Sequence, residues 1–276
     1  MHWHVQRAGT GPVLLLLHGT GAATHTWRDL VQPLARHFTV IAPDLPAHGF
    51  SGPPPTEAGY SIPGMAGLVA ALLQTLDQRP DMVAGHSAGA AVLARMCLDG
   101  AIAPKTLVSI NGALLPLPGM PVPIFTLAAR LLASTSVISR AVAHRANDPA
   151  AILRLLGNTG SRLDAVGSGL YQRLLRDPDH IRGVLNMMGN WDLRALERDL
   201  PKLRTPTVLV TGGNDRTVQP SEALRVRALL RWVRMVEWPA LGHLAHEEAP
   251  EHLIELLARG IETPELGSGN SLPSGV

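Results

Sequence analysis

The amino-acid sequence predicts an α/β fold with a mostly parallel central sheet, helices on both of its faces and a helical insertion. Three observations predict it. Apolar runs of strand length alternate with amphipathic helical stretches along the chain. One of these runs breaks into Gly85-His86-Ser87-Ala88-Gly89 and passes at once into a helix-prone stretch, Ala90 to Leu98. An aspartate, Asp215, and a histidine, His243, follow the ends of two later runs.

The strand-like runs are 13–17, 38–43, 82–86, 106–110, 206–211 and 233–238, and the helical candidates lie at about 27–36, 62–77, 87–99, 190–200, 221–231 and 248–259. Val13 to Leu17 is apolar throughout, as a strand buried on both faces must be. The alternation fails once, because nearly a hundred residues separate run 106–110 from run 206–211, far more than a crossover needs. The expected division is therefore a core of 1–111 with 191–266, a helical lid over 112–190, and a disordered Gly/Ser-rich tail at 267–276. The lid opens on a Pro-rich stretch, 114–123, and an apolar helix around Ile124–Ala133. Residues 121–190 hold eight arginines and four aspartates, so this basic segment sits on a slightly acidic body, the whole chain being +2.

The chemistry is expected at the ends of the runs. Gly-x-Ser-x-Gly between a strand and a helix is the nucleophile-elbow pattern: a serine on a sharp, strained turn needs neighbours without a Cβ. The helix behind it turns free N–H groups and a positive dipole end toward an oxyanion. Asp215 closes Thr211-Gly212-Gly213-Asn214 after the run 206–211, and His243 closes Pro239-Ala240-Leu241-Gly242 after the run 233–238. The chain order Ser87, Asp215, His243 is that of α/β-hydrolases and of no other serine-hydrolase fold. Ser87 is then the nucleophile, His243 the base that takes its proton, and Asp215 the partner that orients the ring. His18-Gly19-Thr20-Gly21 follows the first buried run, so the backbones of Thr20 and Ala88 are the expected oxyanion donors. His18, Gly19 and His86 flank them and are expected to contact the substrate. Arg130 and Arg140 of the lid are expected to attract it by charge.

Other readings are weaker. Gly19-Thr20-Gly21 with Asp44 could begin a dinucleotide site, but the third glycine position is Thr24. No Gly-x-x-x-x-Gly-Lys-Ser/Thr occurs. His243-Leu244-Ala245-His246-Glu247-Glu248 is not His-Glu-x-x-His, so no metal and no cofactor is expected. His246 is expected to line the site or open the last helix, and His48 to be structural. A net charge of +2, with no lysine-rich run, gives no reason to invoke nucleic acid. No transmembrane stretch and no signal peptide are expected, and with a single cysteine, Cys97, a cytoplasmic setting follows.

Several segments also resemble the α/β-hydrolase-fold accessory protein family of magnesium chelatase in bacteriochlorophyll synthesis. They are 14–28, 85–91, Asn111-Gly112-Ala113-Leu114-Leu115-Pro116-Leu117 and Asn186-Met187-Met188-Gly189-Asn190-Trp191-Asp192-Leu193, with Thr24-His25-Thr26-Trp27-Arg28 and the two lid-flanking segments the more specific part. The resemblance covers most of residues 3–250. Two departures stand out. Relatives carry a further N-terminal segment and first strand, whereas this chain starts at what would be the second. Ala47 also occupies a loop position that is commonly glycine, where a positive φ would strain it. The resemblance implies a place beside magnesium insertion into a porphyrin, with a porphyrin or porphyrin ester as the small-molecule substrate and magnesium-chelatase subunits as partners. Ester cleavage through an acyl-serine is the leading expectation. Non-catalytic porphyrin delivery and carbon–carbon bond hydrolysis with the same triad are the alternatives.

Overall fold

A computed structural model describes residues 1–116 and 136–258 of the chain. The strands are β1 (Val5–Ala8), β2 (Val13–Leu17), β3 (Thr39–Pro43), β4 (Met82–His86), β5 (Thr106–Ile110), β6 (Thr207–Gly212) and β7 (Val233–Trp238). They form one sheet in the order β1-β3-β2-β4-β5-β6-β7, with β1 antiparallel to β3 and every other pair parallel. β1 is no apolar run: Gln6 and Arg7 sit on an edge strand with only one neighbour, so nothing demands apolar side chains there.

The buried strands alternate strictly between the two faces. Leu15, Leu17, Ile41, Val83, Leu107 and Leu209 pack against α2 (Ile62–Thr75) and α3 (Ala88–Leu98). Leu14, Leu16, Val40, Ala84, Val108 and Val208 face the other way. The helical stretch expected over 27–36 is interrupted: a 3₁₀ turn, Thr24–Trp27, precedes a short α1, Val31–Leu34. Pro33 explains the interruption, since it has no N–H to donate to residue 29 and its ring crowds that carbonyl.

Between β5 and β6 the chain runs through α4 (Ser136–Arg145), α5 (Pro149–Asn158), α6 (Ala165–Leu175) and α7 (Pro178–Gly189), then α8 (Arg194–Asp199). Aspartates 148, 164 and 177 each cap the following helix through a side-chain oxygen. Ala22, Ala146, Ile152, Leu156, Tyr171 and Leu244 form a small third core where these helices meet the body. The apolar helix expected around Ile124–Ala133, Arg130 and the tail at 267–276 lie outside the described residues. The C-terminal part follows as α9 (Pro220–Leu229), then α10 (Ala245–Glu248) and α11 (Pro250–Ala258) after β7; α11 buries Leu253 and Leu257 on the second face.

The strand order reverses direction between β2 and β4, so the loops leaving these neighbours part to opposite faces and open a crevice at their C-terminal ends. Register sets Leu17 beside Gly85, which brings the chain after His18 against the chain after His86.

Candidate active site

Ser87 stands at the tip between β4 and α3 with φ +49° and ψ −115°, outside the regions that ordinary residues occupy. That strain persists because the flanking backbones leave no alternative. A Cβ on Gly85 would lie 2.6 Å from the Ala90 nitrogen, and one on Gly89 would lie 2.2 Å from the Leu17 carbonyl oxygen. Ser87 N–H donates to Ile110 O at 3.0 Å, and Ala113 N–H donates to Ser87 O at 3.1 Å, so β5 and the segment after it hold the tip from one side.

His243 and Asp215 come together from loops 28 residues apart: His243 Nδ1 lies 2.7 Å from Asp215 Oδ2. The other oxygen, Oδ1, accepts from Thr217 N–H at 2.7 Å and Val218 N–H at 2.9 Å. With its carboxylate filled by donors and 4% exposed, Asp215 has one orientation available. The His243–Asp215 contact puts the proton on Nδ1 and leaves Nε2 as the ring's free base.

Two histidines expected at the substrate bond to the backbone. The ring of His18 is buried and both of its nitrogens are used by backbone. Nδ1 donates to Gly19 O at 2.8 Å and Nε2 accepts from Leu45 N–H at 2.8 Å. Burial drives its pKa down to about 3, so it stays neutral. Its work is indirect. In a planar trans peptide the N–H points opposite to the C=O, so holding Gly19 O inward turns the Thr20 N–H outward. His86 is likewise 2% exposed, and its Nε2 donates to His243 O at 2.9 Å. Burial holds it well below the usual imidazole range. Its ring lies 4.7 Å from that of His243, so a neutral His86 spares an imidazolium there a like-charged neighbour.

Gly19 sits at the centre of the crevice. A Cβ there would meet His86 Nδ1 at 2.8 Å and Ser87 Cβ at 3.0 Å, so only glycine lets the loop close on Ser87. Thr20 is exposed beside it, and Ala88 N–H, the first of α3, has no carbonyl within its helix to bond. Two backbone donors thus flank Ser87. Thr20 Oγ1 also reaches Met187 Sδ at 3.6 Å, which sets α7 over this loop. Arg140 is exposed on α4.

His48 is buried, with Nδ1 donating to Pro46 O at 3.0 Å. Asp44 is also buried. Its oxygens accept from Thr24 N–H at 2.6 Å and Phe50 N–H at 2.9 Å, which leaves nothing for a ribose. Ala47 takes φ +59°, the left-handed conformation that its replacement of a glycine implied.

Three residues escaped the reading of the sequence. Asn111, at φ +44°, donates through Nδ2 to Gly242 O at 2.9 Å and His243 O at 2.8 Å and accepts Gly212 N–H at 2.7 Å. It ties the ends of β5 and β6 to the histidine loop. Its signals were its place directly after a buried strand and its position at the head of one of the resembling segments. Glu247, buried beneath the insertion, accepts from Thr26 Oγ1 at 2.5 Å, Tyr171 OH at 2.7 Å and Arg28 at 3.1 Å. This is where the Thr24–Arg28 segment acts. Burial pushes the Glu247 carboxyl up to about 7 although these donors pull it down. His246 Nε2 lies 2.7 Å from the same Thr26 hydroxyl, and its ring lies 4.5 Å from His86, behind the site. Glu248 is the third, holding Gly242 N–H at 2.8 Å.

Comparison with known proteins agrees with this fold. The alpha/beta hydrolase fold family matches residues 12–250. The magnesium-chelatase 30 kDa subunit of Rhodobacter capsulatus is 35% identical over 252 residues, 91% of this chain and 87% of that protein. Pyrrolizixenacetamide deacetylase of Xenorhabdus hominickii is 26% identical over 263 residues, 90% of each chain. Among solved structures, the enol-lactonase of Burkholderia xenovorans LB400 superposes with a TM-score of 0.74 at 20% identity, covering 93% of this chain and 95% of that one.

Proposed function

The chain belongs to the alpha/beta hydrolase fold family and is a homologue of the magnesium-chelatase 30 kDa subunit; from that premise we propose that it is a serine hydrolase serving as an accessory protein of magnesium chelation. The observation that carries the reading is the pairing of His243 Nδ1 with a fully coordinated Asp215, together with a serine on a strained turn whose neighbour His86 bonds the His243 carbonyl. A structural histidine would need neither a buried carboxylate nor a serine at φ +49°.

In this reading His243 Nε2 takes the Ser87 hydroxyl proton as Oγ attacks the ester carbonyl carbon. Asp215 stabilises the imidazolium that results. The tetrahedral oxyanion accepts from the N–H groups of Thr20 and Ala88, each such donor contributing about 2.7–4 kcal/mol. Collapse expels the alkoxide, which takes the proton from His243 and leaves as the alcohol. Water, deprotonated by the same ring, then releases the acid from the acyl-serine. The helical stretch 112–190 would roof the substrate, with Arg130 and Arg140 lending positive charge. A porphyrin ester is the substrate class we propose, from the name of the 35%-identical relative and the basic insertion. Chelatase subunits are the proposed partners. No helix among the described residues is long and apolar enough to cross a membrane.

The test is labelling by a fluorophosphonate, read as intact mass, in the wild type and in Ser87→Ala. Labelling of the wild type that disappears in the variant is the expected result. A folded wild type that resists the probe overturns the hydrolase, and porphyrin binding without catalysis takes its place.

A further inference from the structure

We infer that the connector between α5 and α6, residues 159–164, is a positioning element for the catalytic acid–base pair, tied in place by Glu248. The inference rests on the serine-hydrolase reading and adds to it which part of the insertion the triad depends on.

The His243 loop is held from two sides. From the core, Asn111 Nδ2 takes the carbonyls of Gly242 and His243, and His86 Nε2 takes that of His243 as well. On the other side, three consecutive N–H groups find their acceptors outside the loop's own turn. Gly242 N–H donates to Glu248 Oε1 at 2.8 Å, His243 N–H to Thr159 O at 3.3 Å, and Leu244 N–H to Ser161 Oγ at 2.8 Å. Glu248 spans the junction, because its second oxygen accepts Arg162 N–H at 3.0 Å.

The same connector also reaches the acid. Thr159 O accepts a second N–H, that of Arg216 at 3.1 Å, directly after Asp215. One carbonyl of the insertion therefore bridges the loop of the base and the loop of the acid. The approach admits no side chain: at Gly160, with φ +84°, a Cβ would lie 1.9 Å from the Asn214 carbonyl oxygen. Leu244 and Ser161 are buried, so in this arrangement no water competes for the Leu244 N–H, and the connector is its acceptor.

It follows that this half of the insertion does not swing clear during turnover. Lifting it would release the backbone on which the 2.7 Å His243–Asp215 contact depends. Glu248 touches no substrate and no reacting atom. It acts through the position of His243, as a positioning residue.

The experiment compares wild type, Glu248→Ala and Glu248→Gln. The glutamine keeps the shape but offers one acceptor oxygen for two N–H donors, so it serves where the alanine fails to fold. Two readouts are taken on protein whose melting curve shows it folded: the inactivation rate constant and apparent affinity for a fluorophosphonate, and the low-field proton signal of the His243 Nδ1–H. The expected result is an inactivation rate constant reduced on the order of ten- to a hundred-fold with affinity unchanged within about two-fold. The low-field signal moves upfield or is lost, which a purely structural role would not cause. Folded variants that react within about two-fold of wild type and keep the signal overturn the inference. A wild type that does not react at all sinks the hydrolase reading instead. The proton signal, which needs no chemistry, then decides the positioning role alone.

Discussion

Acid should unfold this protein abruptly, because it buries histidines that cannot accept protons while folded. Six rings, His18, His25, His48, His86, His180 and His246, are held below the ordinary value of 6.5, in each case chiefly by burial. For His18, His25 and His246 the folded values fall to about 3, 4 and 3. A depressed value means that the stabilising contribution is whole above pH 6.5 and drains away as pH falls toward the folded value. Each ring that gains its proton only on unfolding costs about 1.4 kcal/mol per pH unit in that window. Glu247 opposes them. Its raised value, about 7, gives stability that is whole below about 4.5 and lost as pH rises through 7. The five rings held furthest down, His18, His25, His48, His86 and His246, against one carboxyl leave a net uptake of about four protons on unfolding, a slope of roughly 6 kcal/mol per pH unit once below pH 6. A typical stability of about 5–15 kcal/mol is then lost within about one to two and a half units. The assay is urea unfolding followed by tryptophan fluorescence at about pH 7.5, 6.5, 6.0 and 5.5, with the slope of unfolding free energy against pH giving the proton uptake. A slope below about 2 kcal/mol per unit between about pH 6 and 5.5 would refute the reasoning.

Three further outcomes are expected from single substitutions. Asn111→Ala removes three hydrogen bonds to buried backbone of β6 and the His243 loop. It should cost on the order of 3 kcal/mol in urea unfolding and slow fluorophosphonate labelling of Ser87 as well; an unchanged labelling rate would show that the histidine loop does not depend on it. Ala47→Gly relieves a left-handed alanine and should raise the melting temperature by roughly 2 °C; a lower one would mean the methyl contact with α7 outweighs the strain. Gly89→Ala would drive a methyl against Leu17 O and should destabilise by about 3 kcal/mol or more, with labelling abolished in whatever remains folded.

The hydrolase fold and its sharp serine turn were legible because both are written locally. Strands such as Val13–Leu17 and Thr106–Ile110 are buried on both faces, so burial demands an apolar residue at every position. The elbow is equally local, since Gly85 and Gly89 are steric requirements of a turn five residues long. β1 was harder to see because an edge strand need not be apolar. The Thr24–Arg28 segment stood out as distinctive, but nothing near it in the chain announced Glu247, 219 residues from Arg28, as its partner.

The sequence by itself determined the buried strands and their spacing, the serine on its sharp turn and the two residues proposed to act with it. Those are consequences of steric and hydrophobic rules that operate over a few residues. Only the tertiary structure decided that His18 and His86 serve the backbone, that Asn111 and Glu248 fix the histidine loop, and that Thr159 joins the insertion to both halves of the acid–base pair. A hydrogen bond across a hundred residues leaves no pattern in the chain: any segment brought to that place by the packing of the sheet and helices could have offered a carbonyl, and which one does is settled only when the whole core closes.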